Sequence, residues 1–170
     1  LSAVVVAILE EVVFRGGMLA LLLRSMRPRF AVAVLSFLFA IVHFLEAPEH
    51  FSIADDAVSW SSGLLLLGQM LGHLGDVKVV MAELLLLFLV GVVLADVRLR
   101  TRSLWLSIGL HAGWVFGVHL YSGLTDPSRA LGRGEFLPWM GDSLKVGLLP
   151  LAVVALTWLG ARRGASTSPT

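Results

Sequence analysis

Two neighbouring glutamates, Glu10 and Glu11, sit inside an apolar run that leads into Phe14-Arg15-Gly16-Gly17. Two imidazoles stand elsewhere in equally apolar surroundings. His43 closes the run Phe37-Leu38-Phe39-Ala40-Ile41-Val42-His43, and His111 lies in Ile108-Gly109-Leu110-His111-Ala112-Gly113-Trp114. A carboxylate with two imidazoles can move protons at a reacting water, and it is equally a ligand set for a divalent metal. Carboxylates in a bilayer-length segment are costly to insert, so they are rare unless they face a protein interior and work there.

Spacing separates the two glutamates. On a helix, Glu11 and Arg15 share a face in the favourable order, acid before base. Glu10 lies about 100° round the helix, and its own position four residues on is Phe14, so it has no ionic partner within its span. That makes Glu10 the candidate general base or metal ligand. A Glu–Arg pair that only ties helices together is the bland alternative, and it is the weaker account of two glutamates at once. Phe39, one turn before His43, would wall a pocket. Small residues beside His111 permit close helix approach. His119 follows on roughly the same stripe two turns later; it reads as a supporting rim residue or, more simply, as a bland one. Glu83 with Lys78 suggests snorkelling or a structural pair. Gln69 and His73 would line an entrance or face the interface, His50 would be solvated, and Trp60, Trp105, Trp139 and Trp158 read as interface anchors.

The elements that must position these groups are membrane helices. Of the 170 residues, 57% are hydrophobic and 15% charged, against roughly 25% charged in a soluble domain. Net charge is +1, which leaves no nucleic-acid footprint. The absence of cysteine excludes disulfides, thiolate catalysis and cysteine-ligated zinc. The expected fold is an all-α multi-pass transmembrane bundle with spans at 2–23, 30–45, 77–95, 104–121 and 144–160. Segment 63–75 is too short to span comfortably and reads as an interfacial or re-entrant helix. One domain over 1–161 is expected, with a disordered polar tail at 162–170. The chain opens on Leu1 already inside an apolar run, so its natural N-terminus and one or more earlier helices are expected upstream.

Loop charges set the topology. Arg24, Arg27 and Arg29 follow the first span, Arg98, Arg100 and Arg102 the third, and Arg162 and Arg163 the fifth, while acidic or mixed loops follow the second and fourth. Alternation of this kind puts the arginines and the C-terminus in the cytoplasm. Glu10 and His43 each lie 14 residues from an arginine anchor, Arg24 and Arg29, roughly 21 Å of helix. His111 lies 9 residues from Arg102, about one turn deeper, a gap that tilt or a non-helical start at Thr101–Leu104 would close. Three helices therefore bring their chemistry to nearly one height.

Taken in order, Glu10-Glu11-x-x-x-Arg15, Phe39-x-x-x-His43 and His111 resemble the motifs of the CPBP (Abi/CAAX prenyl protease type II) family of intramembrane proteases. The run from Leu87 to Trp105 looks like that family's stretch before its last histidine, and the resemblance covers about Val5 to Phe116. It implies an endopeptidase acting on membrane-associated or lipid-modified peptides. Glu10 would activate water with Glu11 beside it, His43 would orient or share the proton, and His111 would stabilise the oxyanion. Alternatively Glu10, His43 and His111 would ligate Zn2+, three protein ligands plus water. One departure stands out. The family usually carries Asn four residues after its last histidine, and here that position is Val115. The rival readings are a non-catalytic membrane immunity or interaction protein of the bacteriocin self-immunity type, and a proton-coupled transporter with Glu10 and the histidines as relay. No repeated broken-helix halves of the transporter kind are visible. The expected setting is a bacterial inner membrane, with lipid and a peptide or lipidated protein as partners.

Overall fold

The computed structural model describes residues 2–44, 58–72, 77–124 and 147–166, and among these every regular element is helical. The first rod is α1 (Ser2–Glu11), a π-helical segment (Val12–Met18) and α2 (Leu19–Ser25). The junction residues Glu11 (φ −64°, ψ −38°) and Leu19 (φ −59°, ψ −44°) are both helical, so the rod changes pitch without breaking. It stops where Met26 turns extended (φ −143°, ψ 163°), two residues ahead of Pro28, which disfavours helix in Arg27 before it. Pro28 then opens α3 (Pro28–Phe44), where its missing N–H costs nothing and its fixed φ suits the first turn.

Helix α4 (Ser62–Gly72) is short, α5 (Val77–Thr101) is long, and α6 (Trp105–Leu124) and α7 (Leu148–Ser166) complete the bundle. Between α5 and α6 the chain turns sharply. Arg102 takes a left-handed φ of 54° and its N–H bonds the Arg98 carbonyl at 3.0 Å. The Ser103 hydroxyl then accepts the Trp105 N–H at 3.2 Å and caps α6. Such a cap satisfies backbone groups that the helix ends leave orphaned.

Helix α3 packs along α5, α6 lies against α1, and α7 covers the other side of α5. One close approach sets the α3–α5 distance: a Cβ on Gly91 would fall 2.9 Å from both Cα and Cβ of Ser36. The core beneath the π segment joins Phe14, Leu19, Ala31, Leu35, Phe39 and Ala95. A second cluster of Leu86, Val93, Val97 and Val154 holds α7 to α5.

Polarity is distributed inside out. Glu11 and Arg15 are 0% and 1% exposed, and Ser36, Ser107 and His111 are buried with them, whereas Phe30 and Leu156 are 63% and 67% exposed. In water that arrangement would strand charges and wet large apolar side chains. Against lipid tails the apolar exterior is at no disadvantage.

Val80–Thr101, 22 residues long, meets the length and apolarity of a membrane span on its own, with mean hydropathy 2.5 over its most apolar 18 residues, and Pro28–His43 is a shorter apolar helix. The span expected at 77–95 thus runs on to Thr101, and the one expected at 2–23 is a composite of α and π turns. Residues 162–166, expected in the polar tail, are helical, as α7 continues through Ser166; 167–170 lie outside the described residues. Arg162 holds that turn in place by lying over the Trp158 ring, 4.7 Å from its centroid. Residues 144–146 of the fifth expected span, His50, His73, Trp139 and the two acidic or mixed loops lie outside the described residues.

Candidate active site

Glu11 and Arg15 form the base of the site. Arg15 Nη1 donates to Glu11 Oε1 at 2.9 Å, both side chains fully enclosed. Arg15 Nη2 reaches the Gly91 carbonyl of α5 at 3.4 Å, and the guanidinium lies over the Phe39 ring, 4.3 Å from its centroid. A buried ion pair costs less when its remaining donors and acceptors are also engaged. Here α5 supplies a carbonyl and α3 an aromatic face, while Arg15 Nε and Glu11 Oε2 bond no described residue. The same Glu11 oxygen accepts a second hydrogen bond, from His111 Nδ1 at 2.9 Å.

That contact fixes the direction of the His111 ring. A carboxylate only accepts, so Nδ1 carries the hydrogen and Nε2 points away from Glu11. It points at Glu10, whose Oε2 lies 3.6 Å off. His43 is oriented in the same way by a different acceptor. Its Nδ1 donates to the Phe39 carbonyl one turn back, at 2.8 Å, and its Nε2 sits 3.4 Å from Glu10 Oε2. Glu10 Oε2 is itself enclosed and accepts no hydrogen bond among the described residues. Two imidazoles, each locked through Nδ1, therefore aim Nε2 at one carboxylate oxygen.

Phe39 is the common wall. Its ring lies 4.2 Å from the His43 ring, 5.8 Å from His111 and 5.3 Å from Phe14, centroid to centroid, the last two edge-on. Glu10 and His43 are about a quarter exposed while His111 is nearly closed off, so the cluster opens on the Glu10–His43 side.

The donor set suits a metal. One ligand atom from each of Glu10, His43 and His111 lies within 4.8 Å of the others. Bonds of about 2.1 Å at tetrahedral angles would put ligand atoms roughly 3.4 Å apart, close to the two separations from Glu10. The outer-shell partners are also of the expected kind, since a ligating histidine usually donates its other N–H to a carboxylate or a carbonyl. Glu11 and the Phe39 carbonyl fill those two places.

A family profile described as Type II CAAX prenyl endopeptidase Rce1-like matches residues 1–117. The chain belongs to the Rce1-like family. Its members are membrane-embedded helical proteases, and the match covers every residue of the cluster. No curated protein and no solved structure matches the chain.

The structure brings together Glu10, Glu11, Arg15, Phe39, His43 and His111. It leaves His119 apart. That ring is exposed, bonded to the Val115 carbonyl of its own helix at 2.8 Å, and eight residues beyond His111, about 12 Å along the axis. Three neighbours escaped the sequence reading. Gly91 supplies the carbonyl for Arg15; a lone glycine inside Leu-Val-Gly-Val-Val was its only signal. Ser36 is the residue against which Gly91 packs. Ser107 is fully buried one turn before His111, with a hydroxyl that bonds no described residue.

Proposed function

We propose that this Rce1-like chain is an intramembrane endopeptidase that hydrolyses a peptide bond of a membrane-associated or lipid-modified substrate at Glu10, His43 and His111. The observation that carries the reading is the convergence of two Nε2 atoms on Glu10 Oε2, within 3.4 and 3.6 Å. A water seated there has a carboxylate to take its proton and an imidazole at 3.4 Å to share it. His111 keeps its Nδ1 hydrogen on Glu11, and when it also carries a proton on Nε2, that N–H would donate to the developing oxyanion. The partial opening at Glu10 and His43 is where substrate and water would enter; Glu11 and Arg15 hold the opposite side closed.

The same three atoms would hold a zinc ion, which when bound lowers the pKa of its water to around 7 and polarises the scissile carbonyl. The chain's own part in that case is to aim both Nε2 atoms through Glu11 and the Phe39 carbonyl. In this reading the protein sits in a bacterial plasma membrane with its arginine-rich end and C-terminus in the cytoplasm.

The test is cleavage of a lipidated or transmembrane peptide by the purified protein, with metal content measured on the same sample. Cleavage is expected to stop in Glu10→Gln and His43→Ala, and to fall on chelation and return with zinc. Full activity in metal-free protein would leave the metal-free glutamate mechanism alone. Retained cleavage in Glu10→Gln would remove the peptidase reading, and the immunity or interaction role would replace it.

A further inference from the structure

At the arginine-rich end of the bundle, away from the catalytic cluster, a groove of about 390 Å³ opens between α3, α5 and α7. Its walls are apolar, with Val32 on α3, Phe88, Val92 and Leu99 on α5, and Trp158 on α7. Two charged residues line it, Arg29 and Asp96. Asp96 is already engaged: its Oδ2 accepts from Arg100 Nε at 2.8 Å and from Trp158 Nε1 at 2.8 Å. Arg162 stands above the same Trp158 ring. Arg29 is exposed and has no ion-pair partner among the described residues. Beyond the Arg100–Asp96 pair, this end therefore carries two guanidiniums, Arg29 in the groove lining and Arg162 over Trp158.

Size and direction narrow the occupant. From Leu99 to Phe88 the groove follows α5 for eleven residues, about 16 Å, roughly half the 30 Å apolar thickness of a bilayer. It starts at the charged end and runs one leaflet deep. A molecule with an anionic head and an apolar tail of leaflet length fits both features. A soluble anion would leave the apolar walls unused, and a sterol or hydrocarbon would leave Arg29 unmatched. We propose that this groove binds one anionic glycerophospholipid, its phosphate against Arg29 and one acyl chain along α5 between Val32 and Trp158. The site is separate from the peptidase reading and does not depend on it.

Trp158 gives the readout. The full chain in detergent is titrated with phosphatidylglycerol brominated on its acyl chains, and quenching lost in Trp158→Phe is taken as the groove's signal. The expected result is saturable quenching by phosphatidylglycerol at several-fold lower concentration than by brominated phosphatidylcholine. In Arg29→Ala, a surface change that leaves the core intact, that preference is expected to shrink about fivefold, the worth of one arginine at a lipid headgroup. Equal quenching by both lipids would overturn the proposal, because the groove would then hold ordinary surrounding lipid. So would a preference for phosphatidylethanolamine, which would make Asp96 the recognising group, or displacement of the brominated lipid by glycerol 3-phosphate, which would make it a site for a soluble anion. An unchanged preference in Arg29→Ala would overturn it as well.

Discussion

Glu10 and Glu11 are joined by one peptide bond and live in different solvents. Glu11 is sealed among Arg15, His111 and the surface of α6, with both neighbours within 2.9 Å. Glu10 lies at a partly open edge, more than 3.3 Å from either imidazole, with an oxygen that accepts no hydrogen bond among the described residues. One residue decides this: a step of about 100° round the helix moves a carboxylate from the α6 contact to the gap between α3 and α6. Identical side chains are thereby divided into one that holds and one that is free to react. The fixed carboxylate is held through Oε1 by Arg15 and His111, its Oε2 bonding no described residue; the loose one keeps capacity for a proton, a water or a cation.

Breaking the comparison on its open side should give the largest effect. Glu10→Gln keeps the shape and removes the base, so hydrolysis should fall about 10²- to 10⁴-fold while the unfolding midpoint in detergent stays where it was. A matching drop in stability would mean that Glu10 is structural too, and the division between the two glutamates would be lost.

On the closed side the pattern should invert. Arg15→Met leaves the Glu11 charge buried without its partner, at a cost of about 3–5 kcal/mol, read as a large fall in the unfolding midpoint. Adding Glu11→Gln removes the stranded charge, and the double variant should recover most of that loss. A single Arg15→Met protein as stable as the parent would show that water reaches the inner pair.

The smallest effect should come from the support behind it. Gly91→Ala forces a methyl against Ser36, at roughly 1–3 kcal/mol for overpacking, and Ser36→Gly in the same chain should return part of it. Because α3 carries His43 and α5 carries the carbonyl that Arg15 uses, cleavage should fall with stability in this case, unlike in Glu10→Gln.

How much of this was legible in the sequence follows from the range of each interaction. The Glu11–Arg15 pair is local, four residues apart, and helical periodicity alone gives it. The common height of Glu10 and His43 follows from counting residues to the arginine anchors, and the break at Arg102–Leu104 moves His111 to meet them. The His111–Glu11 bond spans 100 positions of sequence, and no local rule assigns it. Trp158 reads as an interface anchor, yet its indole N–H is committed to Asp96 on α5, again a tertiary fact. The π segment was hidden for another reason: a periodicity of 3.6 is assumed whenever a helix is read from apolar spacing, and the pair Gly16-Gly17 was the lone hint of a departure.

That wider stretch at Val12–Met18 has an implication for how the molecule tolerates change. It works as a phase adjuster. Residues before it pack mainly on α6 and residues after it on α3, and the offset between the two halves is set by its wider pitch. Two side chains of the stretch, Arg15 on Glu11 and Phe14 against Phe39, then fix the aim that the pitch sets. Tightening the coil to ordinary pitch at full length would swing the upstream acids away from both imidazoles, whereas losing one residue together with the wide turn would roughly offset that rotation, so pitch and residue count are matched in this short stretch.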